Sequence, residues 1–342
     1  MRAIAIRWIS LGILLTVLIT LSGCPGHSEK PTTTDALPKV KVAINTWPGL
    51  GPYYVAHAKG FDKEEGVEIE VIMTEDTVAR NSSLVSGEVD LIGITLDNIV
   101  IAESNGVPMR VIGESDFSNG GDGILAKKEI KTVADLKGKR VACPEGLPSH
   151  FFLLYLLEKN KLGPKDLTIV PVDDGGQAGT FFASGKVDAA VTWDPWISQA
   201  EEKTNGTGHV IITTRDTPGL ILGIVAANKR TLAERADRIT RTQRAWFKAV
   251  QYCKDHPDET NTIMASKYNV PVKEFGPMLA GAKLADLKET KKTFGTASHP
   301  GSIVQLAKDA SRLWLNAGAI KQPVDPMDVV DWTIVDRLTA GK

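Results

Sequence analysis

Three tryptophans and four aspartates stand just past the ends of short apolar runs, where a strand would release them into a loop. Trp47, in Trp47-Pro48-Gly49-Leu50, follows the run ending at Ile44, and a tryptophan held in a Pro/Gly turn is poorly placed for a central core. It offers an apolar wall and attraction for a cationic head. Thr95-Leu96-Asp97-Asn98 supplies a hydroxyl, a carboxylate and an amide, the mixture a small polar site requires. Asp116, Phe117, Ser118 and Asp122 share a stretch broken by Gly120, Gly121 and Gly123, and Trp193-Asp194-Pro195-Trp196 gives a second wall with a fourth carboxylate. Ser149 and His150 open a predicted helix whose first N–H groups suit a sulfonate or carboxylate without any arginine. Each feature has a plainer reading. Trp47 can close the top of a lobe, Asp97 or Asn98 can cap a helix, turn chemistry alone explains Ser118 to Gly123, and His150 alone reads as structural.

The chemistry in this set is recognition. Its carboxylates meet no arginine in the same loops apart from Arg215, so nitrate, bicarbonate or a plain alkanesulfonate would meet net repulsion, and a cationic or zwitterionic ligand fits better. Gly120-Gly-Asp-Gly123 lacks the Lys-Ser/Thr pair of a phosphate loop and the GxGxxG spacing, and neither GxSxG nor HExxH occurs. Cys143 and Cys253 have no CxxC partner and the six histidines are scattered, so neither a metal nor a cofactor is expected. The two cysteines read as free, buried thiols. A formal net charge of -1 without a basic stripe argues against a nucleic-acid partner.

Positioning such a set takes strands that end side by side. One pattern occurs twice, Leu84-Val-Ser-Gly-Glu-Val-Asp90 and Phe182-Ala-Ser-Gly-Lys-Val-Asp188, with Ser184 lying 98 residues after Ser86. The runs Lys39–Ile44 and Lys139–Ala142 show about the same offset. Two similar α/β lobes with mostly parallel sheets follow, and ligands of such sheets sit beyond the carboxyl ends of the strands. Residues 39–118 are expected to form the first part of lobe one and 119–219 lobe two. Residues 220–342 return to lobe one as a mostly helical part packed on it. The glycine-broken stretch Ser115–Gly123 is the expected first hinge loop, and a chain that crosses twice is a clamshell candidate.

The ends add an address. Arg2 and Arg7, the apolar run Trp8–Leu21 and the small residues before Cys24 form an export signal over residues 1–23, too short for the roughly 20 apolar residues of a spanning helix. Losing it leaves 38 basic against 41 acidic residues. Residues 24–38, polar and without apolar periodicity, read as a tether.

These residues carry a family resemblance. Trp47-Pro-Gly-Leu-Gly-Pro with Ala58-Lys-Gly-Phe61, Ser86-Gly-Glu-Val-Asp90, Val133-Ala-Asp-Leu-Lys-Gly-Lys-Arg-Val141, and Ser184-Gly-Lys-Val-Asp188 with Trp193-Asp-Pro-Trp196 resemble the nitrate, sulfonate and taurine family of substrate-binding proteins of ABC importers. Leu21-Ser-Gly-Cys24 likewise resembles a bacterial lipobox, with Cys24 the lipidated residue. The resemblance implies a type II periplasmic-binding clamshell, not an enzyme, that works as a lipid-anchored monomer outside the cytoplasm. It implies capture of a small polar organic ligand, taurine-like or an aliphatic sulfonate, for a membrane permease. A thiamine-precursor pyrimidine or another small cationic nitrogen compound is the alternative ligand. Pyrimidine synthases of thiamine biosynthesis share the fold, but they depend on a Cys-rich segment that this chain lacks.

Overall fold

The computed structural model of the chain describes residues 36–340, so the expected signal, Cys24 and nearly all of the tether lie outside the described residues. Aliphatic runs form the strands in chain order: β1 (Lys39–Ile44), β2 (Glu68–Met73), β3 (Leu91–Thr95), β4 (Met109–Ser118), β5 (Asp122–Lys127), β6 (Arg140–Cys143), β7 (Thr168–Pro171), β8 (Ala189–Trp193), β9 (Gly208–Thr213), β10 (Leu222–Asn228) and β11 (Ala282–Leu284). They make two sheets, ordered β11-β4-β10-β3-β1-β2 and β7-β6-β8-β5-β9. In each, a parallel ladder of three strands, β2-β1-β3 or β7-β6-β8, meets one reversed strand, β10 or β5. That reversed strand is in both cases the first one after the chain crosses from the other lobe. Most strands therefore point one way in each lobe, but the ladders around β10 and β5 are antiparallel, which makes the sheets mixed.

The repeated pattern has a structural meaning. Gly87 and Gly185 end the helices Thr77–Ser86 and Gly175–Ala183 at or just past the C-cap, with φ of 81° and 73°, a left-handed conformation that favours glycine. Asp90 then accepts the Lys41 N–H at 2.9 Å, and Asp188 accepts the Arg140 N–H at 3.0 Å. Each aspartate ties the start of a third strand to the first.

Apolar clusters cover both faces of each sheet. In lobe one the long helix Lys229–Asp255 buries Trp246 against Tyr53, ring centroids 4.5 Å apart, on one face. Helix Ser302–Asn316 buries Trp314 on the other. This C-terminal helix also reaches lobe two: Phe151 and Leu154 of helix Pro148–Lys159 join the Trp314 cluster, and Arg312 donates to both carboxylate oxygens of Glu158 at 2.6 and 3.1 Å. Cys143, in β6, and Cys253, in the long helix, are free and buried, as expected.

The expected loop Ser115–Gly123 is mostly strand. β10 and β11 pair with β4 out to Phe117 and Ser118, so ladder hydrogen bonds override the turn-like composition and only Asn119–Gly121 remain as the crossing.

Candidate functional site

A cavity of about 850 Å³ lies between the lobes, beyond the carboxyl ends of β1, β2, β3, β6, β7 and β8. On its lobe-one side, Gly223 of β10 faces Asp116 and Ile224 faces Glu114, so Ser115 is an extra residue in β4. Successive strand residues normally point to opposite faces. This bulge instead brings Ser115 and Asp116 both to the cavity, and bulges commonly re-aim side chains at sites. The Asp116 carboxylate accepts the Trp47 indole N–H at 2.8 Å and the Ser115 hydroxyl at 2.8 Å. It sits between two glycines: a Cβ on Gly49 or Gly223 would come within 2.4 or 2.5 Å of its Oδ2. Burial pushes the Asp116 carboxyl up to about 6 against these hydrogen bonds, and pushes Asp122, at the start of β5, up to about 7.

The lobe-two side is aromatic and exposed. Trp193 and Trp196 lie against Gly175 and Gly176, where the absence of side chains lets the rings approach the backbone, and Thr192 donates to the Gly175 carbonyl at 2.9 Å. Glu145, Asp173 and Asp174 stand exposed on this side, and Glu75 and Asp76 on the other. Together with buried Asp116 and Asp122 they make the lining strongly acidic. Arg80, buried, is the one cationic side chain facing them among the described residues.

Of the residues expected from the sequence, Trp47, Leu50, Thr95, Asn98, Asp116, Asp122, Trp193 and Trp196 line this cavity together. The others do not. Gly49 is buried behind Asp116. β3 runs straight into helix Leu96–Ser104, so Thr95 to Asn98 form a helix start and not a loop. Asp97 is thereby turned inward, accepting only the Asn98 amide at 3.1 Å among side chains, while its backbone carbonyl accepts the Trp314 indole N–H at 3.0 Å. Asn98 also donates to the Gly146 carbonyl of lobe two at 3.0 Å. Phe117 faces Lys283, whose ammonium lies 5.2 Å from the ring centre. Ser118 shares a 2.7 Å hydrogen bond with Thr214, which also accepts the Gly120 N–H at 2.8 Å, so it ties the two crossings together. Asp194 accepts the Ser198 hydroxyl at 2.6 Å and the Ser198 N–H at 3.2 Å, in the first turn of helix Trp196–Lys203. Leu147 and Pro148 at the start of helix Pro148–Lys159 reach the cavity, whereas Ser149 is buried behind them and His150 accepts the Gly146 N–H at 3.2 Å, packed edge-on to Trp314. Burial lowers the His150 pKa and keeps its ring neutral.

Sequence reasoning missed the turns and helix starts after β2 and β7, which bring Glu75, Asp76, Thr77, Val78 and Arg80, and Asp173, Asp174 and Gly176, into the lining. The signal was there: these strands flank β1 and β6, and the strand-end rule applies to them equally. The cavity lining therefore does contain an arginine, supplied by the first turns of helix Thr77–Ser86 and not by the candidate loops in which Arg215 stood alone. Arg215 itself is exposed and donates to the Asn119 carbonyl at the crossing.

Residues 47–260 match the family described as NMT1/THI5 like. A Bacillus subtilis protein provisionally named as an aliphatic sulfonates-binding protein is 22% identical over 331 residues, 95% of either chain. The periplasmic aliphatic sulphonate binding protein SsuA of Escherichia coli superposes with a TM-score of 0.71 at 19% identity, over 85% of this chain and 96% of SsuA. The desulfurization enzyme DSZB has the same fold, with a TM-score of 0.62 at 16% identity over 89% and 99% of the two chains. The fold alone thus accommodates both capture and catalysis.

Proposed function

The chain belongs to the NMT1/THI5-like family, and on that premise we propose that it captures a small organic solute bearing a cationic nitrogen for an ABC importer. In this reading it is exported, anchored by a lipid on Cys24 and active as a monomer that hands its ligand to the permease. Asp116 is the observation that carries the proposal. A desolvated carboxylate, held by Trp47 and Ser115 and seated between Gly49 and Gly223, is a receptor for an amine. A taurine-like zwitterion is the first candidate. Its amine would meet Asp116 and Asp122, in keeping with the sulfonate ligands in the names of two of the similar proteins.

Trp47, Trp193 and Trp196 favour a second ligand. They line a cavity of about 850 Å³, ample for a planar nitrogen base such as a thiamine-precursor pyrimidine stacked on indole. Catalysis is the weaker reading, because among the described residues neither histidine nor cysteine lines the cavity, and burial raises both thiols, Cys253 to about 11.

A thermal-shift screen of amines, zwitterions, pyrimidines and simple anions on the mature domain tests this. A true ligand at a hundredfold excess over its Kd stabilises by about 2.7 kcal/mol. The expected hits carry a cationic nitrogen; tight binding of nitrate or ethanesulfonate with no response to any amine would overturn the proposal.

A further inference from the structure

Resting on that reading of the cavity, we infer that Arg80 and the start of helix Thr77–Ser86 form a subsite for an acidic group on the same ligand, a sulfonate or carboxylate. Arg80 is 3% exposed yet lines the cavity. A guanidinium has five N–H donors, and here three are engaged: Nη1 donates to the Thr74 and Glu75 carbonyls at 2.6 and 3.2 Å, and Nη2 donates to the Thr77 hydroxyl at 3.3 Å. Nε is buried without an acceptor among the described residues. Nε–H and one Nη2–H lie on one edge of a guanidinium, the edge that takes two oxygens of an acid side by side.

The neighbouring carboxylates do not fill that edge. Glu75 accepts the Thr46 N–H at 2.9 Å and its hydroxyl at 3.3 Å, and Asp76 accepts the Ala79 N–H as the helix cap at 2.6 Å. A helix start leaves several N–H groups without intrahelical partners, and the Asp76 side chain serves one of them. The first two residues of the helix, Thr77 and Val78, line the cavity beside Arg80. A buried cation with no carboxylate hydrogen-bonded to it among the described residues lowers the energy of an anion arriving from the cavity, and the anion in turn completes the guanidinium. Lobe one then reads both ends of a zwitterion, the amine at Asp116 and the acid at Arg80.

Calorimetry with taurine, β-alanine, ethylamine and a pyrimidine amine on wild type, Arg80→Gln and Arg80→Lys tests the inference. Arg80→Gln should weaken the zwitterions by at least about tenfold while leaving ethylamine unchanged, and Arg80→Lys, which keeps the charge but not the paired edge, should fall between. Unchanged ethylamine binding also reports that the variant is folded. Equal loss for ethylamine and taurine would make Arg80 a support of the Thr74–Thr77 turn and overturn the inference. Binding of amines without any zwitterion would overturn it while the cationic-ligand reading stands; no response to any amine would remove both.

Discussion

Asp90 in lobe one and Asp188 in lobe two each accept a backbone N–H from the first strand of their parallel ladder, and Gly87 and Gly185 each end the preceding helix in the left-handed conformation. Five residues past these aspartates, by contrast, the copies share little. β3 passes directly into a helix at Thr95, whereas β8 ends at Trp193 and releases Asp194 to Trp196. The charged groups diverge as well: lobe one sets Asp116 and Arg80 into buried positions beside exposed Glu75 and Asp76, whereas lobe two buries only Asp122, at the start of β5, and holds Glu145, Asp173 and Asp174 in solvent. The frame is duplicated and the cleft wall is not. A buried charge acts through a low dielectric and an exposed one is screened, so lobe one should decide which ligand charges are accepted while lobe two covers the ligand with indole.

The largest effect should come from neutralising one carboxylate on each side. Asp116→Asn is expected to weaken an amine ligand by tenfold or more, since truncating a buried charge pair costs about 2–5 kcal/mol. Asp174→Asn should change affinity by less than about twofold, because the exposed group is screened and asparagine still caps its helix. Gly223→Ala should mimic Asp116→Asn, its Cβ meeting the Asp116 carboxylate 2.5 Å away. Calorimetry with the best ligand measures all three; equal losses in the Asp116 and Asp174 variants would erase the contrast between the lobes.

Acid should produce a smaller effect, carried by Asp116 of lobe one and by Asp122 at the start of β5. Burial raises Asp116 to about 6 and Asp122 to about 7, from an ordinary 3.8. For a carboxyl raised in the folded state, the penalty for ionising is absent below the unfolded value, grows as pH rises through it, and is complete above the folded value. The empty protein should therefore lose stability from these two groups between about pH 4 and 7. A cationic ligand needs them ionised, so its affinity should climb over pH 5 to 8 with proton release near pH 6 to 7. Calorimetry in two buffers of different ionisation enthalpy reads that proton count; a pH-independent affinity would mean that neither carboxylate meets the ligand.

Much of the frame was legible in the sequence. The doubled Ser-Gly…Asp pattern, the 98-residue offset and the aliphatic runs fixed two lobes and most strand positions, because left-handed glycines and strand periodicity are local properties. Trp47, Asp116, Asp122, Trp193 and Trp196 were legible as strand-end residues. Ser115 was not, since its exposure to the cavity depends on a bulge set by pairing with β10, more than a hundred residues away. Asp97 and Asp194 looked equivalent to Asp116 in type and position. Their side chains went instead to a helix start packed by Trp314 and to local hydrogen bonds with Ser198 in the first turn of helix Trp196–Lys203. Arg80 reads in sequence as an ordinary polar helix residue, and only the fold of the turn before it buries its guanidinium.

The smallest effect tests the shared frame itself. Gly87→Ala and Gly185→Ala force a side chain into the left-handed region, which costs about 1 kcal/mol, so each variant should lower the melting temperature by about 2 °C. At Gly185 nothing lies within 4 Å of an added Cβ, which makes backbone strain the whole cost. At Gly87 the new methyl meets the Arg230 guanidinium at 2.6 Å, the far end of a flexible chain that can swing aside, so its loss should exceed that of Gly185 only slightly. Ligand affinity should stay at the wild-type value in both, because these glycines sit at the ends of the helices remote from the cavity, whose starts at Thr77 and Gly176 form its lining. Calorimetry and thermal melts on the pair check this. A change in affinity in one lobe alone would show that strand placement and ligand contact are coupled there, and that the duplicated frame is not independent of the cleft it carries.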